Sequence, residues 1–131
     1  MTATTTQRMR NASTRLQALT FGGTDQTTGE VLDSYETLGM HAATAEAEYR
    51  KVRAKRSLVA MVNDKASAAK AGFIADSDDD VDRACRNYKI SAALVDARWK
   101  ALQTVREIYD GLKRELTAET TADRVHSQVS I

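Results

Sequence analysis

From residue 35 to residue 116 apolar side chains return at alternating steps of three and four, and the whole 131-residue chain contains no proline to interrupt them. That spacing puts each apolar residue on one stripe of an α-helix, the pattern of a long packed seam. Tyr35, Leu38, Ala42, Ala45, Tyr49 and Val52 set the rhythm, and Val59, Val62, Ala66, Ala69 and Phe73 resume it. A second seam runs through Val81, Cys85, Tyr88, Ala92, Val95, Trp99 and Leu102, then slips and continues through Val105, Ile108, Leu112 and Leu116. Gly39 lies within the first seam and lowers helix propensity there by about 1 kcal/mol relative to alanine.

Between the seams, Gly72-Phe73-Ile74-Ala75-Asp76-Ser77 breaks the period. Gly72 suits a helix C-terminus and Ser77 an N-cap. Asp78, Asp79 and Asp80 then supply carboxylates where first-turn N–H groups and the helix dipole favour them. The seams therefore predict a helix over residues 34–72, a turn over 73–77 and a helix over 78–119. Each helix of about 40 residues is about 60 Å long, and a short turn between two such rods forces them antiparallel. Residues 1–33 are rich in threonine and carry Gly22, Gly23 and Gly29. They read as a flexible arm, in which Met9, Leu16, Leu19 and Phe21 offer at most a short helix, marginal alone in water. The polar tail, residues 120–131, is expected to be disordered.

A turn centred on Asp76 sets residues equidistant from it face to face. Arg56 then falls opposite Asp96, Glu46 opposite Arg106, and Arg53 opposite Trp99 as a cation–π partner. Two long helices leave flanks uncovered and bury little area between them. Leu58, Met61, Ile90, Leu94 and Ala101 lie off the seams and offer a second contact surface. The expected fold class is thus all-α: one domain, a long antiparallel two-helix hairpin, coiled-coil-like, with a flexible N-terminal arm, completed by homo-oligomerisation into a helical bundle.

A formal net charge of +1 excludes whole-chain attraction to nucleic acid or anionic lipid, so any such attraction is local. The strongest local feature is Tyr49-Arg50-Lys51-Val52-Arg53-Ala54-Lys55-Arg56, with five cations in seven positions. It reads equally as a phosphate-contacting girdle and as a solvated helix face with two arginines in structural pairs. Tyr49, Tyr88, Trp99 and Tyr109 fall on the seams, where packing rather than base stacking is their expected role.

Chemistry that needs a built site is not signalled. Asp76, Asp78 and Asp80 imitate the start of a calcium loop, but Val81 stands where its glycine belongs and Asn87 where its glutamate belongs. Asn11-Ala12-Ser13 matches a glycosylation acceptor without an export signal beside it. His41 and His126 lie far apart, Cys85 is the only cysteine, and neither a phosphate loop nor a nucleophile motif is present. No catalysis, metal or cofactor is expected. No apolar run reaches the roughly 20 residues that span a bilayer, so no membrane association is expected and the reducing cytoplasm is the expected compartment.

The order of parts resembles the UvsY-like recombination mediators of bacteriophages over about half of the chain. The matching pieces are Tyr49-Arg50-Lys51-Val52-Arg53-Ala54-Lys55, the acidic break Asp76-Ser77-Asp78-Asp79-Asp80, and Tyr88-Lys89 through Arg98-Trp99-Lys100-Ala101-Leu102 to Gly111-Leu112-Lys113. Residues 1–33 have no counterpart. The resemblance implies a ring-like oligomer that binds single-stranded DNA and helps load a recombinase onto strands covered by single-strand-binding protein. It implies phosphate contact at Lys51, Arg53 and Lys55, with Arg50 and Lys100 nearby. Two other readings fit the residues: a protein-interaction module of a phage or mobile element that docks on a host protein, and a structural component of a virion.

Overall fold

The computed structural model describes residues 3–129. They form four α-helices, α1 Thr5–Phe21, α2 Tyr35–Asn63, α3 Ala68–Asp76 and α4 Asp79–Val129, with a two-stranded antiparallel ladder of β1 Gly23–Thr24 and β2 Val31–Leu32 between α1 and α2. The protein is all-α apart from that small ladder. The chain divides into two compact units. One takes the described residues up to Tyr35 together with those from Arg98 onward, and the other takes Glu36–Ala97.

In the first unit the N-terminal quarter of the chain departs from the expected flexible arm, of which residues 1 and 2 lie outside the described residues. Residues 5–21 form a 17-residue helix whose start is a capping box: Thr4 Oγ1 accepts the Gln7 N–H, and Gln7 Oε1 accepts the Thr4 N–H. Propensity alone leaves such a helix marginal, and tertiary packing supplies the rest. Ala12 and Leu19 are buried with Leu102 and Val105 of α4, and Leu16, Leu32, Tyr35 and Tyr109 pack around them.

Gly22 ends α1 at φ 81°, and its N–H donates to Ala18 O. A Cβ there would meet Leu32 O and Ser34 N at 2.9 Å, so the close return of the chain requires glycine. The ladder's loop is organised by Asp25, which is 3 % exposed. Its carboxylate accepts the Thr27 N–H at 2.9 Å and lies 3.6 Å from Arg15 of α1. The Thr27 N–H holds the Asp25 pKa below its ordinary value, with burial opposing and Arg15 assisting. Arg98 fastens the same region from α4, its Nη1 donating to Leu19 O at 2.9 Å and Asp33 O at 2.6 Å. Trp99 sits beside Tyr35, ring centroids 6.1 Å apart.

In the second unit the continuous helix expected over residues 34–72 is split. α2 stops at Asn63, Lys65 adopts a left-handed φ of 53°, and Ser67 caps α3 by accepting the Lys70 N–H. Asn63, Asp64 and Ser67 favour caps and turns over helix interiors, and that local chemistry overrides the apolar period at Ala66. The turn expected at residues 73–77 is instead mostly the end of α3, and the chain changes element at Ser77 and Asp78. α4 starts at the acidic run, but its cap is Asp78 rather than Ser77: Asp78 Oδ1 accepts the Asp80 and Val81 N–H groups at 2.9 and 3.2 Å, while Ser77 ends α3 and its Oγ donates to Phe73 O. Gly72, expected at a helix C-terminus, lies inside α3. α4 then continues to Val129, ten residues beyond the expected end, so residues 120–129 are helical rather than a disordered tail. Residues 130 and 131 of that tail lie outside the described residues.

The partners expected from a turn at Asp76 are replaced. Arg56 Nε donates to Asp78 at 3.1 Å, where the expected register gives it Asp96. Arg53 Nε donates to Asp76 at 2.9 Å, while Trp99 belongs to the other unit. Glu46 accepts Arg50 one turn along α2, and Arg106 lies in the other unit. Tyr49 stacks on Tyr88, centroids 6.1 Å apart and rings 13° from parallel. The cause is α3: residues 68–76 are a separate helix rather than the last turns of α2. The residues that meet between α2 and α4, Tyr49 with Tyr88 and Arg56 with Asp78, therefore lie closer in sequence than a turn at Asp76 would set them.

Candidate nucleic-acid interface

The five cations of α2 separate into two groups once each is placed. Arg53 and Arg56 are engaged inside the unit. The first holds Asp76 at the end of α3, and the second holds Asp78 at the start of α4, each through Nε. The Arg53 hydrogen bond keeps the Asp76 pKa below its ordinary value. For Asp78 the Val81 N–H is the larger cause and the Arg56 guanidinium adds to it. These two arginines join α2 to α3 and α4, and their charge is neutralised where it stands.

Arg50, Lys51 and Lys55 face solvent. Arg50 reaches back to Glu46, with Nη2 2.6 Å from Oε1, in an exposed pair of the kind worth at most about 0.5 kcal/mol on a helix. Lys51 and Lys55, four residues apart and so stacked on one face, make no ion pair among the described residues. Lys55 also lines a shallow groove of about 390 Å³ with Val52, Val59, Asp78 and Asp80, so one side of this cation is flanked by carboxylates. Lys100, the remaining candidate for phosphate contact, is exposed on the part of α4 that belongs to the other unit.

The same unit exposes large apolar side chains. Leu58, Met61 and Val62 lie near the end of α2, Phe73 on α3, and Ile90 and Leu94 on α4. Phe73 is 75 % exposed and Val62 68 %, although both fall on the seam expected to be buried. The interior is lined by small side chains instead, with Ala60, Ala71 and Ala75 fully buried. Periodicity could identify the stripe but not which apolar residues of it face inward, because the split at residues 64–67 rotates α3 out of phase with α2.

A wider groove of about 590 Å³ runs past His41, Glu48, Asp80, Arg83 and Asn87. Ala45, Val52 and Ala84 line it as well, so His41 shares this groove with both apolar and charged side chains. No helix among the described residues is long and apolar enough to cross a membrane. No family model, curated protein or solved structure matches the chain.

Proposed function

We propose that this chain is a non-catalytic helical binding protein that self-associates and engages single-stranded DNA through the phosphate backbone. The observation that carries this reading is the Lys51–Lys55 face of α2. Two cations one turn apart are exposed and make no ion pair among the described residues, while the neighbouring arginines are committed to structural carboxylates. Such point charges suit phosphate contact. With the aromatic rings of Tyr49 and Tyr88 stacked on each other, backbone contact rather than base stacking is the expected mode.

The finer architecture belongs to the same proposal. Tyr49–Tyr88 and Arg56–Asp78 run in opposite order along α2 and α4, which supports an antiparallel hairpin. The exposed apolar side chains support assembly into an oligomer. The likeness to UvsY-like mediators extends the reading to a phage-type recombination accessory protein of the bacterial cytoplasm, with a recombinase or single-strand-binding protein as further partner. An anisotropy titration of a labelled single-stranded oligonucleotide at low and moderate salt tests it. Salt-sensitive binding supports the reading, and no binding even at low salt removes it.

A second reading is favoured by a specific observation, the exposure of Leu58, Val62 and Phe73, each more than half exposed. It makes the chain a protein-interaction module docking through apolar side chains. Binding to its target would then be indifferent to Lys51→Glu and Lys55→Glu and abolished by Leu58→Asp.

A further inference from the structure

Within the second unit the back of α4 carries an apolar patch. Ile90, Ala93, Leu94 and Ala97 are spaced as neighbours on one helical face, and all four are exposed, Ile90 at 60 % and Leu94 at 53 %. At about 100° per residue this face lies on the opposite side of α4 from Val81, Tyr88, Ala92 and Val95, of which Val81 is buried and the others half-buried. The unit has little else to bury. Its buried apolar side chains are Ala60, Ala71, Ala75 and Val81, all of them small. That is a thin core, and covering an exposed isoleucine and leucine supplies apolar burial that the unit does not provide for itself.

We infer that a second copy of this chain covers the patch, the two α4 helices packing antiparallel about a twofold axis that passes between residues 93 and 94. The inference rests on the self-association proposed above and names the surface and register responsible. The order of side-chain sizes selects both occupant and direction. In an antiparallel pair about that axis, Leu94 of each copy falls opposite Ala93 of the other, and Ile90 falls opposite Ala97. Every large side chain then meets a small one, and the patch is its own complement. A parallel pair in register sets Ile90 against Ile90 and Ala97 against Ala97, crowded at one level and hollow at the next. A staggered parallel pair again matches large with small, but it is heterologous and does not close on itself. The antiparallel pair alone satisfies both size and closure, and it withdraws Ile90 and Leu94 of both copies from water.

Sedimentation equilibrium on the full chain over a concentration series tests the inference. The wild type is expected at a multiple of 14.4 kDa. Ala93→Leu sets leucine against leucine across the axis, and Leu94→Ala sets alanine against alanine. Each is expected to raise the dissociation constant by about tenfold. The double variant Ala93→Leu/Leu94→Ala exchanges the large and small positions and restores association to near the wild-type value. Both residues are exposed within the chain and both residue types favour helix, so helix content by circular dichroism is expected to be unchanged in every variant. A wild type that stays monomeric overturns the inference together with the self-association proposed above. Association that the single variants leave unchanged, or that the double variant fails to restore, overturns the inference alone. Anisotropy with a labelled single-stranded oligonucleotide on the same samples separates it from DNA binding. Binding by a monomeric wild type would sink the inference and keep the DNA contact, and the size-swap pattern without oligonucleotide binding would support the inference while removing the DNA reading.

Discussion

Asp78 does two things with one carboxylate: its Oδ1 closes the start of α4, and its Oδ2 accepts Arg56 Nε of α2 at 3.1 Å. A helix cap and a tertiary tie are thereby joined in a single side chain. Asp78→Ala removes both and lowers Tm by about 5 °C or more in a thermal melt, whereas Asp79→Ala, one residue on, changes it by less than about 2 °C. Asp78→Asn keeps the cap and weakens only the tie, so its effect falls between the two.

Gly22→Ala places a Cβ at φ 81° within 2.9 Å of backbone atoms of Leu32 and Ser34. The expected destabilisation is about 2 kcal/mol, from strain at a left-handed position together with the clash, measured by urea denaturation. Gly29→Ala has a similar φ of 76° but open space around it, and so costs less. The difference between the two variants isolates the close approach at residue 22.

Acid destabilises the fold through Asp25, Asp76 and Asp78. Each has its folded pKa lowered from 3.8, so each contributes stability above its unfolded pKa and loses it as pH falls through the folded value. Stability measured by denaturant midpoint is expected to be flat with respect to these groups from about pH 7 to 5 and to drop below about pH 4. Asp76→Asn removes part of that drop.

On the proposed reading Lys51→Glu/Lys55→Glu lowers affinity for a single-stranded oligonucleotide. It also reduces the slope of log affinity against log salt by about 1.4, or about 0.7 for each phosphate that is no longer neutralised. The fold is expected to be unaffected, since neither lysine makes an ion pair among the described residues. An unchanged slope in the variant would remove these lysines from the interface.

The helical class and the start of α4 were legible because each is dictated locally, by seam period and by the run Asp78-Asp79-Asp80, although the cap is Asp78 rather than Ser77. The register was not. It depends on where α2 stops, and that is decided by the left-handed Lys65 and the Ser67 cap, features too short to disturb a period read over many turns. The difference moves the partners of Arg53 and Arg56 from Trp99 and Asp96 to Asp76 and Asp78. α1 was hidden for another reason: its stability lies in burial of Ala12 and Leu19 against residues almost a hundred positions away, which a scan of local propensity cannot weigh. The basic run itself was evident, but its division into structural arginines and exposed lysines required the positions of the acidic partners.

The central claim, that the chain works by associating and binding rather than by catalysis, is tested most directly by the molar mass of the full chain with and without a single-stranded oligonucleotide. The account predicts a mass that is a multiple of 14.4 kDa and rises by the mass of bound oligonucleotide at low salt. A 14.4 kDa species whose mass the oligonucleotide leaves unchanged would contradict it.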